Sequence, residues 1–187
     1  SAVGYYADTG DTETDERGAP GDGFLSTVAR QTEAAAAPAS DAGVRVVLLR
    51  TGFPLHRDGG YLGPQLPFFR LGLGGRIGSG RQWQPWISMT DWLEAVVFLL
   101  EREDVTGPVN LVGPQPATNA DLTRTLGRLL HRPTVTPLPA PVLRLLLGEF
   151  GADALASRRL VPGALNRAGF RFRHPDLTSA LRAALAD

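Results

Sequence analysis

The chain has 187 residues, 43% of them hydrophobic, enough for a sizeable core in one domain or somewhat more, and its 19 acidic and 19 basic residues cancel. A net charge of zero argues against nucleic acid or an acidic membrane as the main partner, and the apolar runs are far too short to cross a bilayer of about 30 Å. The absence of cysteine excludes disulfides, thiolate metal sites and cysteine nucleophiles and fits a cytoplasmic protein, and because every basic residue is arginine, no role that needs a lysine amine can be filled.

In chain order, Ser1–Tyr6 reads as a buried strand with no room before it for a cap, so the sequence reads as starting inside a longer fold. An acidic loop with Asp8, Asp11, Glu13, Asp15 and Glu16 follows, expected to be solvated. Asp22 is placed to cap an Ala-rich helix from Phe24 to Ala37, which Pro38–Gly43 breaks. Val44–Arg50, β-branched and Leu-rich, predicts a fully buried strand. Strand, helix and strand with short joins make a βαβ unit and therefore an α/β fold with a parallel sheet.

Residues 51–85 are loop-rich, with a short helix over Pro64–Leu71. A strand over Trp86–Met89 leads into a helix over Trp92–Arg102, for which Asp91 and Glu94 resemble a capping box. Gly107–Val112 is another strand, and Thr118 caps a helix over Asn119–Leu130 with Asp121 in its first turn. Helices are expected over Val142–Phe150, around Asp153–Leu160 and over Pro175–Ala184. The Pro-rich stretch 133–141 is the seam between a sheet-bearing part, 1–132, and a small helical domain, 133–187.

The Gly-rich run Gly72–Arg81 invites a phosphate-loop interpretation, but it lacks the Gly-x-Gly-x-x-Gly spacing and the P-loop lysine. It is better read as a loop presenting Arg76, Arg81, Trp83 and Trp86 to a small-molecule substrate: arginine offers a fork for phosphate or carboxylate, tryptophan a stacking face. His56, His131 and His174 are scattered and predict no metal site.

Several segments occur in an order that resembles a known family: Ser1-Ala2-Val3-Gly4-Tyr5-Tyr6, Glu33-Ala34-Ala35-Ala36, Val46–Gly52, Leu66–Gly75, Gly78-Ser79-Gly80-Arg81-Gln82-Trp83, Pro85–Asp91, Gly107–Leu111 and Leu146–Glu149. The set is similar to the atypical extended short-chain dehydrogenase/reductases, the NAD-dependent epimerase/dehydratase-like proteins with a helical C-terminal domain of unknown function. The resemblance implies the C-terminal part of a Rossmann-type sheet. It also implies an NAD(P)-dependent epimerase or oxidoreductase, with NADP preferred, and a cofactor loop upstream of Ser1, so that this segment alone is not expected to bind the cofactor. Ser1, or Ala2 in the alternative register, falls where such enzymes carry a serine. Leu25 and Ala29 fall where they carry their Tyr and Lys, and neither can do acid–base work; the nearest polar pair, Ser26 and Arg30, reads as an exposed helix face. Tyr5 or Tyr6 could then act as a displaced acid. Gly52, Phe53 and Pro54, at a strand C-terminus, are expected beside the cofactor. Asp91 is expected to cap a helix rather than catalyse. The competing class is an NAD(P)-binding sensor or interaction module without turnover.

Overall fold

The computed structural model describes residues 1–138 and 155–186. Strand β1 (Val47–Thr51) pairs in parallel with β6 (Gly107–Leu111), from Val47 opposite Gly107 to Thr51 opposite Leu111. Ser1–Tyr6 does not make the expected full strand. Ala2 forms one parallel bridge to Thr51, Val3–Tyr5 tightens into a 3₁₀ turn and Tyr6 bridges to Pro20. The turn drops the Tyr6 ring into the core, where its hydroxyl reaches Asn110. With only that one bridge on its other edge, β1 is half-buried rather than fully buried, and Val44, expected within it, lies outside it and exposed.

At Gly52 the chain leaves β1 and enters β2 (Phe53–His56), which pairs in parallel with β5 (Trp86–Ser88) and antiparallel with β3 (Gly59–Gly60). Glycine is required at this junction because a Cβ would lie 2.2 Å from the Pro85 carbonyl oxygen. A further antiparallel pair joins β4 (Trp83–Gln84) to β7 (Ala117–Thr118). These two- to four-residue strands sit among glycines and prolines and leave no alternation in the sequence to read.

Helix α1 (Phe24–Ala34) starts after Gly23, and the Asp22 side chain makes no cap. Pro38 starts rather than breaks a helix, sitting in the first turn of α2 (Ala37–Asp41), where its missing N–H costs nothing. Helix α3 (Leu66–Arg70) follows a 3₁₀ turn, Gly63–Gln65. In α4 (Met89–Glu101) the cap is Ser88, whose Oγ accepts from Asp91 N, so Asp91 lies in the first turn and is not the cap. Helix α5 (Asn119–Leu130) has the expected Thr118–Asp121 capping box, and α6 (Gly163–Ala168) and α7 (Leu177–Ala186) close the chain.

Helix α7 buries Leu177, Ala180, Leu181 and Ala184, one stripe at helical spacing, into the same core as Leu55, Trp86, Leu122 and Leu126. A second core under β1 and β6 gathers Ile87, Leu99, Val109, Leu111 and Leu165. The helix expected over Val142–Phe150 lies outside the described residues. So does the start of the one expected around Asp153–Leu160; its described end is not helical beyond residue 155, and Leu160 instead bridges Thr14.

Candidate functional site

A buried polar network lies behind the end of the Ser1–Tyr6 segment. Arg50, 4% exposed, grips Glu33 with two 2.9 Å hydrogen bonds and donates through Nη1 to the Tyr6 hydroxyl at 2.9 Å. Tyr6 in turn donates to Asn110 Oδ1 at 2.6 Å. The Arg50 guanidinium also covers the Tyr5 ring, 3.5 Å from its centroid. Asn110 is held from a third side, its N–H donating to Glu16 Oε1 and its Nδ2 to the Val161 carbonyl. Burial pushes the Tyr6 phenol up to about 12, against the opposing pull of Arg50. Burial also acts to raise Glu33, but hydrogen bonds from Arg50 and Ser1 overcome it and hold the carboxyl below its ordinary range. Tyr6 therefore stays protonated near neutral pH and cannot serve as a base.

The acidic loop is not simply solvated. Glu16 is buried and accepts from Ala164 N, and Asp8 accepts from Ser157 N at 3.1 Å. Backbone bonds from Thr9 N to Ser157 O and from Thr14 N to Arg159 O strap the loop to residues 157–161. Against this strap opens a pocket of about 320 Å³, bordered by Gly4, Tyr6, Asp8, Asp22, Leu25 and Arg158 among others. Arg158 Nε donates to the Tyr6 carbonyl at its base. Both Asp8 oxygens are occupied, by Gly10 N and Ser157 N. The Asp22 carboxylate is exposed and makes no hydrogen bond among the described residues. Ser26 also borders the pocket. Its hydroxyl, expected on an exposed face, is instead buried and donates to the carbonyls of Tyr5 and Gly21.

The residues expected to act do not all converge. Ser1 lies at the surface and donates to Glu33 Oε1 at 2.6 Å. Tyr5 and Tyr6 meet edge to face with ring centroids 5.3 Å apart. Gly52, Phe53 and Pro54 sit at the expected strand end, but Phe53 N donates to Pro85 O and its ring stacks on Tyr61 at 5.0 Å, and none of the three borders the pocket. Arg76 and Arg81 are exposed. Trp83 turns to Asp11, which accepts from its Nε1, and its ring lies under Arg159. Trp86 is 1% exposed, a core residue whose Nε1 donates to Gln115 O. Asp91 accepts from the backbone N–H groups of Arg173 and His174 and from the Ser88 hydroxyl, tying the C-terminal segment to α4. In sequence, Asp22 reads as a helix cap and Arg158 as part of no site. Both come to the pocket through contacts between segments more than 130 residues apart, which no local pattern signals.

Residues 138–184 match the model of a domain of unknown function, DUF1731. Over 182 residues, 97% of its length, the chain is 44% identical to the epimerase family protein ML0860 of Mycobacterium leprae, of which it covers 59%. The crystal structure of the human epimerase family protein SDR39U1 with NADPH superposes on the whole chain with a TM-score of 0.94 and 36% identity, over 64% of that protein. A nucleoside-diphosphate sugar epimerase from Corynebacterium glutamicum is 36% identical with a TM-score of 0.78, covering 99% of this chain and 36% of that one. The chain thus spans about three fifths of the length of the curated relatives it matches, and the fold it shares with these structures is of the Rossmann type.

Proposed function

We propose, from its likeness to epimerase family proteins along its whole length, that this chain is an epimerase-like sequence of the atypical extended short-chain dehydrogenase/reductase family and belongs to an NAD(P)-binding protein that acts on a small molecule as an epimerase or oxidoreductase. The match along the whole chain to a relative crystallised with NADPH carries this proposal. The residues fit the smaller end of such a cofactor. The pocket of about 320 Å³ suits a nicotinamide-sized ring, and open space surrounds the missing side chain of Gly23 beside it. Bound there, the nicotinamide would supply or accept a hydride.

The chain's own residues would orient and protonate. Leu25 forms an apolar wall where the family's tyrosine would stand. Tyr6, neutral, borders the pocket and is held by Arg50, whose other contacts reach Tyr5 and, through Glu33, Ser1. Asp22, the bordering carboxylate with a free face, is the group best placed to move a proton. Gly52–Pro54 lie outside this pocket, and Arg76 and Arg81 are exposed while Trp83 and Trp86 pack.

The second reading is a cofactor-binding sensor without turnover, favoured by the same locked Tyr6 and by Leu25 and Ala29 at the expected Tyr and Lys positions. NADPH calorimetry followed by a hydride-transfer screen separates them. Binding with a turnover that Asp22→Asn reduces about 100-fold supports the enzyme; binding with no transfer to any carbonyl substrate supports the sensor.

A further inference from the structure

The balanced net charge hides a strong separation. Residues 59–90 contain no Asp or Glu but carry Arg70, Arg76 and Arg81; residues 105–138 contain Asp121 alone against Arg124, Arg128 and Arg132. The fold packs these two stretches together. Gly78 N donates to Leu138 O, Leu138 N to Arg76 O, and Arg132 Nε to Arg70 O. Two cavities flank Arg124 on this face. One, of about 360 Å³, is bordered by Arg76, Arg124, Thr123 and Thr134. The other, of about 410 Å³, is bordered by Arg124, Arg128, Arg132 and Thr134. Neither shares a residue with the pocket at Tyr6 and Asp22.

The opposing charge is small. Asp121, 3.3 Å from Arg124, is committed through its other oxygen to the Thr118 capping box. Arg128 donates to the Thr125 hydroxyl, a neutral partner. Arg76 makes no ion pair among the described residues. Each cavity is bordered by two or three arginines and no carboxylate, so it suits an anion that more than one guanidinium fork can grip at once.

We propose that these paired cavities form a second binding site, for a small anion with two linked phosphate groups, with Arg124 shared between the phosphates, Arg76 holding one and Arg128 and Arg132 the other. A single phosphate would engage the arginines of one cavity; a diphosphate would reach those of both.

The test is calorimetric titration of pyrophosphate and of orthophosphate at low salt into the polypeptide extended to the full length of its relatives, repeated with saturating NADPH. Pyrophosphate should bind once per chain, at least about tenfold more tightly than orthophosphate, with the same isotherm in the presence of NADPH. Arg124→Ala should weaken it by about tenfold or more and Arg76→Ala by a smaller factor, whereas Arg17→Ala, at a distant exposed pair, should change nothing. Equal affinity for the two anions, or an unaltered isotherm in Arg124→Ala, would overturn the proposal. So would displacement by NADPH, which would move the anion to the dinucleotide site. Failure of NADPH to bind would leave this outcome untouched, because the two sites share no residue.

Discussion

Arg50 joins partners from three separate stretches of chain, at Tyr5–Tyr6, Glu16 and Glu33, and removing it strands them. Glu33 would keep a charge without its fork, and the Tyr6 hydroxyl would lose one of two partners. Truncating one member of a buried ion pair costs about 3–5 kcal/mol, so Arg50→Met should lower unfolding free energy by that order in urea titrations. Its folded signature is pH-dependent. Glu33, held below its unfolded value, contributes stability that is present above the unfolded pKa and lost as pH falls through the folded one. Tyr6, raised from 10.0 to about 12, contributes stability that is complete below pH 10 and lost as pH rises through 12. Tyr6→Phe should therefore flatten the alkaline arm while costing about 1–3 kcal/mol at pH 7, because Asn110 and Arg50 lose a buried partner. A wild-type alkaline arm that persists in Tyr6→Phe would contradict this. Little of the network is legible in sequence. The two phenols stand out, but Arg50 meets Glu33 across 17 residues and Tyr6 meets Asn110 across 104, and spacing carries no information at such separations.

Helix ends show where local chemistry is enough. Thr118 and Asp121 form the capping box their spacing predicts, because both groups lie within one turn. At α4 the same logic points to Asp91 with Glu94, but Ser88, three residues before Asp91, makes the cap. Ser88→Ala should cost about 1–2 kcal/mol and lower the thermal midpoint, through loss of the cap and of a hydroxyl bonded to the buried Asp91 carboxylate. At the other end of α5, His131 adopts φ of 54°, a left-handed cap that L side chains resist. His131→Gly should stabilise by about 0.5–1 kcal/mol; a lower midpoint would mean the imidazole makes contacts that outweigh the strain. Long periodic helices were legible. Strands of two to four residues, paired only through distant partners, were not.

At the scale of the molecule, the C-terminal residues complete one core and border the pocket from another segment. Helix α7 seals Leu55 and Trp86, and the strap at 157–161 closes the pocket over Tyr6. Leu181→Ala should cost about 2–5 kcal/mol and loosen both, visible as faster amide exchange in β2 and β5 as well as in α7. Exchange confined to α7 would show that the C-terminal part is energetically separate. The α/β class and a parallel sheet are readable from the order of strand, helix and strand, but the main partner of β1 is not: that order points to Ser1–Tyr6, which keeps one bridge, while β6 makes the full pairing. The pocket is not readable either, because three chain segments far apart in sequence build it. The most direct measurement is a calorimetric titration of NADPH and NADH into the polypeptide extended to the full length of its relatives. One NADPH bound per chain, at least tenfold tighter than NADH, is the expected result; a folded protein that takes up neither would contradict the NAD(P)-binding function.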